Sequence, residues 1–325
     1  MGRGYFKALA SFILLTIKIK NIHQNGGFNL GKVYKSNLFF ALVLLWMVIG
    51  VYPLVLLVRI TEITDLGLLL LIQHIFLIII PGIIYLIRSK ESVKSILRLN
   101  KLNFKQITLV IGIALLSQPI MTFFSLISSF FFKNDVSDAI FSMADKPYLL
   151  LLSLIALLPS ISEELILRGI VLKGYENKNK YIAALVTGIM FGMFHLNYHQ
   201  FLYTAVMGFI LSLVVITTNS IYSSMIIHFI INGISVTMMK ITSSLPDIEV
   251  SQASTITLQD NIITVIFMFM IAFVCFLIVK KLFGKLKMVS SFREEVREED
   301  DKERVLNLPF IFSILTFIIY MFILN

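Results

Sequence analysis

The stretch Tyr148–Leu172, YLLLLSLIALLPSISEELILRGIVL, decides how the chain is read. It is long and apolar enough to cross a bilayer, which takes about 20 residues. Yet it carries Glu163, Glu164 and Arg168. Ionisable groups at membrane depth are costly unless they are paired or face a polar cavity, so they mark a candidate functional site. Glu164 and Arg168 are four residues apart and share a helix face, where they can pair. Glu163 points about 100° away from Glu164. This geometry makes Glu164–Arg168 structural and leaves Glu163 for chemistry. The competing reading is that all three sit at the interface and merely end the helix. Pro159, four residues before Glu163, removes a backbone hydrogen bond and opens the helix where the carboxylates begin.

Outward from this stretch, composition sets the class. Of 325 residues, 58% are hydrophobic and 14% charged, and the mean hydropathy is +0.89; a globular domain is about 45–50% apolar and about 25% charged. The fold class is therefore all-α: a polytopic membrane protein of about eight to nine transmembrane helices. The single Cys275 excludes an internal disulfide and a cysteine zinc site. The net charge of +9 sits largely in short loops between apolar segments, as membrane orientation requires, so nucleic acid is not the implied partner.

Residues 1–36 read as an uncleaved, surface-lying N-terminal segment, with a short first span as the rival reading, and Asn29–Asn37 as a loop. Residues 37–147 hold three spans, Asn37–Val58, Leu66–Ile87 and Ile107–Phe132, the second with His74 as a hydrogen-bonded packing residue. Residues 148–240 hold four: Tyr148–Leu172, Tyr181–Tyr198, Phe201–Thr218 and Ser220–Lys240. Residues 241–325 hold Asn261–Phe283, a charged linker and Pro309–Leu324. With the N-terminus inside, the inner loops carry 21 Lys or Arg and the outer loops four (Arg59, Lys133, Lys146 and Lys240). The expected location is the cell membrane, with the N-terminus cytoplasmic.

Two further spans supply polar groups. His195 lies four residues after Phe191 on a helix in which Gly188 and Gly192 allow a neighbour to approach closely. His228 and Asn232 are four apart and share a face. A buried imidazole and a buried carboxamide need polar partners, expected to be each other and Glu163. Counting about 1.5 Å per residue places Glu163 and His228 at similar depth but His195 deeper, so either the fifth span starts later or helix tilt corrects the mismatch.

Glu163-Glu164-x-x-x-Arg168, Phe191-x-x-x-His195 and His228-x-x-x-Asn232, in this order, resemble the three motifs of the CPBP group. These are the CAAX prenyl endoproteases and the bacteriocin-processing or self-immunity (Abi) intramembrane proteases. The resemblance covers about residues 148–240, the four-helix catalytic core. It implies hydrolysis of a peptide bond in a membrane-associated protein or peptide, within the bilayer and open toward the cytoplasm. Glu163 would activate water, His195 would hold it, His228 and Asn232 would bind the oxyanion, and Glu164 and Arg168 would brace the site. The chemistry agrees, since a carboxylate in an apolar cavity is a stronger base than one in water. No cofactor is required in this reading. Zinc is the alternative, with Glu163, His195 and His228 as candidate ligands. His195 and His199 form a rival pair at i,i+4, although an interfacial role suits His199 better. Two other classes compete. A transporter would usually show internal repeats, which the sequence lacks. A non-catalytic scaffold or immunity protein could keep the same fold.

Overall fold

The structure is a computed structural model that describes residues 30–245, 258–290 and 303–324. Residues 1–29 of the expected surface segment and most of the charged linker lie outside the described residues. Among those described, seven helices are long and apolar enough to cross a membrane. They are α1 (Lys32–Thr61), α2 (Leu66–Arg88), α4 (Phe104–Ser129), α6 (Tyr148–Val171), α8 (Tyr198–Thr218), α9 (Ile221–Ser244) and α10, which begins at Leu258 and ends at Val289. Two shorter apolar helices, α7 (Lys180–Phe194) and α11 (Leu308–Phe322), complete the bundle. The chain is thus an all-α, multi-pass membrane protein. Single turns or short helices α3 (Val93–Ile96) and α5 (Asp135–Phe141) sit in the loops; α5 buries none of its residues.

The helix ends follow local chemistry in most places. Asp65 caps α2 by accepting from Leu68 N–H, and Asn103 and Gln106 form a reciprocal capping box on α4. Asn219, at φ 50°, closes α8 in the left-handed region that Asn tolerates. The start of α1 does not follow local sequence. The expected loop over Asn29–Asn37 is helical from Lys32, because Glu303 accepts from Lys32 N–H at 2.8 Å and Val33 N–H at 2.9 Å. That cap arrives from 270 residues away, so the local sequence carries no sign of it.

Three helices contain wide, π-type turns: α11 ends in them, at Tyr320–Leu324, while α2 and α6 carry them internally. In α2 they span His74–Ile79 and precede Pro81; in α6 they span Leu152–Leu157 and precede Pro159, and a second set spans Leu165–Val171. A proline lacks the N–H for the carbonyl four residues back and its ring crowds that carbonyl, so a widened turn relieves both problems. The opening expected at Pro159 takes the form of the wide turns at Leu152–Leu157; the second set, at Leu165–Val171, follows the proline and is not explained by it. Glu163 and Glu164 lie in the short α-helical piece between its two wide turns.

The fifth span is shorter than expected. α7 stops at Phe194 instead of Tyr198, and the chain turns at once through Leu196 (φ 47°) into α8, which Asn197 caps. The cause is close packing. A Cβ on Gly188 would come within 2.7 Å of Ala205 O, and one on Gly192 within 2.7 Å of Phe201 O, both on α8. α7 and α8 thus form a tight hairpin. α4 packs against α8, α9 and α10, and α9 runs along α6. The main core joins these helices through Leu44, Ile113, Leu167, Phe191, Leu211 and Ile227, all buried. The outward faces carry large apolar side chains, such as Phe267, Phe273 and Phe276 on α10. In water such a belt would be a liability; in lipid it is the expected surface.

Candidate active site

Three helices converge on Glu163. Its Oε2 lies 3.9 Å from His195 Nε2 at the end of α7 and 3.9 Å from His228 Nε2 on α9. α7 begins at Lys180, no later than expected, so its start does not correct the mismatch in depth; inclination of the helices remains. Glu163 Oε2 is buried and makes no hydrogen bond. A separation of 3.9 Å is too long for a direct bond and fits one bridging water. The side chains of Glu163, His195 and His228 are 10%, 16% and 3% exposed, so the cluster is nearly closed and His195 is its most open member.

Glu164 faces a different set. Its Oε1 accepts from Arg168 Nη1 at 2.9 Å and from His228 Nδ1 at 2.8 Å. Glu164 and Arg168 are both fully buried. Arg168 also donates to Gly208 O at 3.4 Å, and its guanidinium stacks over the Phe191 ring at 4.2 Å. The pair therefore ties α6 to α7, α8 and α9. Glu164 does not simply point away from Glu163: through His228 it is one bond removed from it.

The fixed partners determine which ring nitrogen carries the proton. Phe191 O can only accept, so His195 Nδ1, 2.8 Å away, is the donor. The ion-paired Glu164 carboxylate likewise accepts from His228 Nδ1. Each neutral ring then presents an unprotonated Nε2 toward Glu163. Asn232 does not bond His228. Its Nδ2 donates at 3.2 Å to Ile155 O, the carbonyl four residues before Pro159 that the proline cannot serve. One amide N–H of Asn232 remains for another acceptor.

Two further histidines lie in the described helices. His74 is hydrogen-bonded, but its partner is Ser162 Oγ at 3.0 Å, the residue next to Glu163. The signal was present in the sequence, as a lone polar Gln73-His74 pair inside an apolar span. His199, in the first turn of α8, is 2% exposed, its ring lies against Tyr203, and its Nδ1 has no hydrogen-bond partner. A separate cavity of about 440 Å³ lies between Arg98, Asn100, Lys173 and Asn219 and shares no residue with the Glu163 cluster.

Zinc suits the donor chemistry, two imidazole nitrogens and a carboxylate oxygen, but not their placement. A tetrahedral ion with bonds of about 2.0–2.1 Å holds its ligand atoms about 3.3–3.4 Å apart. Here both gaps to Glu163 are 3.9 Å. Among the described residues, no three His, Cys, Asp or Glu side chains are grouped to hold a metal ion. The residues as placed do not fit zinc.

Fold and site together define a multi-pass membrane protein with a buried carboxylate–imidazole cluster assembled from three helices. The family model for Rce1-like, type II CAAX prenyl endopeptidases matches residues 145–234, a little over a quarter of the chain, and supports the resemblance read from the three motifs. The matched segment runs from just before α6 to the middle of α9 and contains Glu163, Glu164, Arg168, His195, His228 and Asn232, but not His74. No curated protein and no solved structure matches the chain.

Proposed function

We propose that the chain is an intramembrane endopeptidase in which Glu163 activates water without a metal. The observation that carries this reading is Glu163 Oε2: buried, without a hydrogen-bond partner, and 3.9 Å from two imidazole nitrogens. Glu163 takes a proton from a water bridging to His195 Nε2, and the water oxygen attacks the scissile carbonyl carbon. A C–O bond forms, and the carbonyl electrons move onto oxygen. That oxyanion needs donors. His228 is one in the form that has taken a proton from solvent on Nε2 before the attack and keeps it through the cycle; Glu164, which accepts from its Nδ1, stabilises that imidazolium. The remaining amide N–H of Asn232 is the second. Collapse breaks the C–N bond, and Glu163 returns the proton to the departing amine. Glu164 and Arg168 hold the three helices in register throughout.

The substrate is a membrane-associated protein or peptide. The family's description makes a prenylated CAAX peptide the first probe to try. The cell membrane, with the basic loops cytoplasmic, is the proposed location. The decisive experiment compares membrane peptides in cells making the wild-type chain and Glu163→Gln at equal levels. Fragments present only with the wild type support the peptidase. Identical peptide sets, with the biological effect retained by Glu163→Gln, would overturn it in favour of a non-catalytic scaffold or immunity protein.

A further inference from the structure

α2 contributes to the cluster although no motif marks it. Ser162 Oγ lies 2.8 Å from Leu158 O and donates its only proton there. Its oxygen can therefore only accept from His74 Nδ1, 3.0 Å away. His74 thus adopts the same protonation pattern as His195 and His228, with Nδ1–H given to a fixed acceptor. The bond is buried: His74 is 8% exposed and Ser162 is 1% exposed. Both ends sit where the backbone is least regular. His74 opens the wide turns of α2, and Ser162 lies in the short α-helical piece between the two sets of wide turns in α6. Wide turns give up the usual ladder and recur at functional sites. A helix interrupted in this way needs an outside anchor to fix which direction Glu163 points. From the described residues, His74–Ser162 is that anchor on the α2 side, as Glu164–Arg168 is on the other.

We propose that His74 is a positioning residue for Glu163, holding it toward His195 and His228 through the hydrogen bond to Ser162. This rests on the peptidase reading above. His74→Leu removes the donor and Ser162→Ala removes the acceptor. Each should lower kcat on a prenylated CAAX peptide about tenfold to a hundredfold, the cost of misplacing a reacting group by a fraction of an ångström to an ångström. KM should change by less than about twofold, since the bond orients Glu163 and does not bind substrate. The double variant should lose no more than either single one, because both remove one bond. His74→Asn, which offers an N–H near the position of Nδ1, should recover most of kcat, whereas a purely packing role would favour Leu.

A second measurement does not depend on turnover. Nitrogen-15 spectra of histidine-labelled protein should show His74 as the Nδ1–H tautomer, and Ser162→Ala should move its signal. An Nε2–H tautomer, or a signal indifferent to Ser162→Ala, would overturn the inference. So would His74→Leu and Ser162→Ala at wild-type kcat while Glu163→Gln is dead; that outcome leaves the peptidase reading standing. If instead Glu163→Gln cleaves as well as the wild type, the peptidase reading is what fails.

Discussion

Glu163 and Glu164 are neighbours in sequence with separate duties, and the difference is one of partners. Glu164 is fully buried and holds Arg168 and His228, while Glu163 Oε2 is buried and holds nothing. Removing one partner of a buried ion pair strands the other charge, at a cost of about 3–5 kcal/mol. Glu164→Gln should therefore lower the melting temperature and the yield of folded protein. Glu163→Gln should leave both near wild type and abolish activity. Melting curves of the two purified variants, beside a cleavage assay, check this; equal melting temperatures for the pair would contradict the division. The zinc question belongs to the same scale. With 3.9 Å gaps around Glu163, purified protein should contain well under one zinc per chain. Activity should survive chelation and dialysis. One tightly held zinc per chain, with activity lost on stripping and regained on return, would reverse the metal-independent assignment. The Glu164–Arg168 pair was legible in the sequence because both partners lie one turn apart on one helix. The bonds from Glu164 to His228 and from His74 to Ser162 were not, since they join helices 64 and 88 residues apart in sequence, and periodicity reports faces, not neighbours.

At the scale of elements, α7 is the least ordinary helix in the bundle. It is 15 residues long, about 22 Å at 1.5 Å per residue, against roughly 30 Å of hydrocarbon. It ends within the protein, and its last turn delivers His195 to Glu163. Its place is set by glycines packed on α8, where a Cβ on Gly188 would meet Ala205 O at 2.7 Å and Phe209 N at 2.8 Å. Backbone atoms cannot rotate aside as a flexible side chain can. Gly188→Val should therefore push the two helices apart, at a cost in the upper part of the range of about 1–3 kcal/mol for overpacking. It should carry His195 out of reach of Glu163, so activity should fall further than stability does. Gly284, with nothing near its Cβ position, is the matched control: Gly284→Ala should leave both unchanged. Comparing melting temperature and turnover for the two variants makes the test, and a fully active Gly188→Val would show that the hairpin does not position His195. The glycines were readable as sites of close approach. The early end of α7 was not, because the apolar pattern runs on through Leu196 while the backbone turns at that residue.

At the scale of the whole molecule, one end of the bundle is tied together by charges outside the spans. Glu176, in the turn after α6, binds Lys173 at 2.5 Å and Lys32 at 2.8 Å, joining that turn to the start of α1. Burial would raise its carboxyl, but the hydrogen bonds and charges of Lys173 and Lys32 outweigh burial and hold it below the usual range. A depressed carboxyl contributes stability above its unfolded value and loses it as pH falls through the folded one. The stability of the wild type should therefore drop on acidification below about pH 4.5 more steeply than that of Glu176→Gln. Melting curves across pH 3–7 read this directly, and parallel curves for the two proteins would remove Glu176 from the account.

Among the described residues, the same end of the molecule carries most of the Lys and Arg, and that asymmetry predicts which way it faces. The loops 88–105 and 173–180 hold six and three Lys or Arg, while the connections on the opposite side hold Arg59, Lys133, Lys146 and Lys240. Short basic loops stay on the cytoplasmic side. On that orientation Lys94 in α3 faces the cytoplasm and Lys133, in the loop before α5, faces outward. The lone Cys275 lies within α10, so Cys275→Ala provides a background without cysteine. In that background Lys133→Cys should react with a membrane-impermeant maleimide in intact cells. Lys94→Cys should react only after the membrane is opened. Lys133 is well exposed and pairs only at the surface with Asp135 and Asp138, so replacing it should not disturb the fold. The reverse labelling pattern would turn the molecule over in the membrane. The carboxylate–imidazole cluster would remain intact, but its substrates would have to come from the other side.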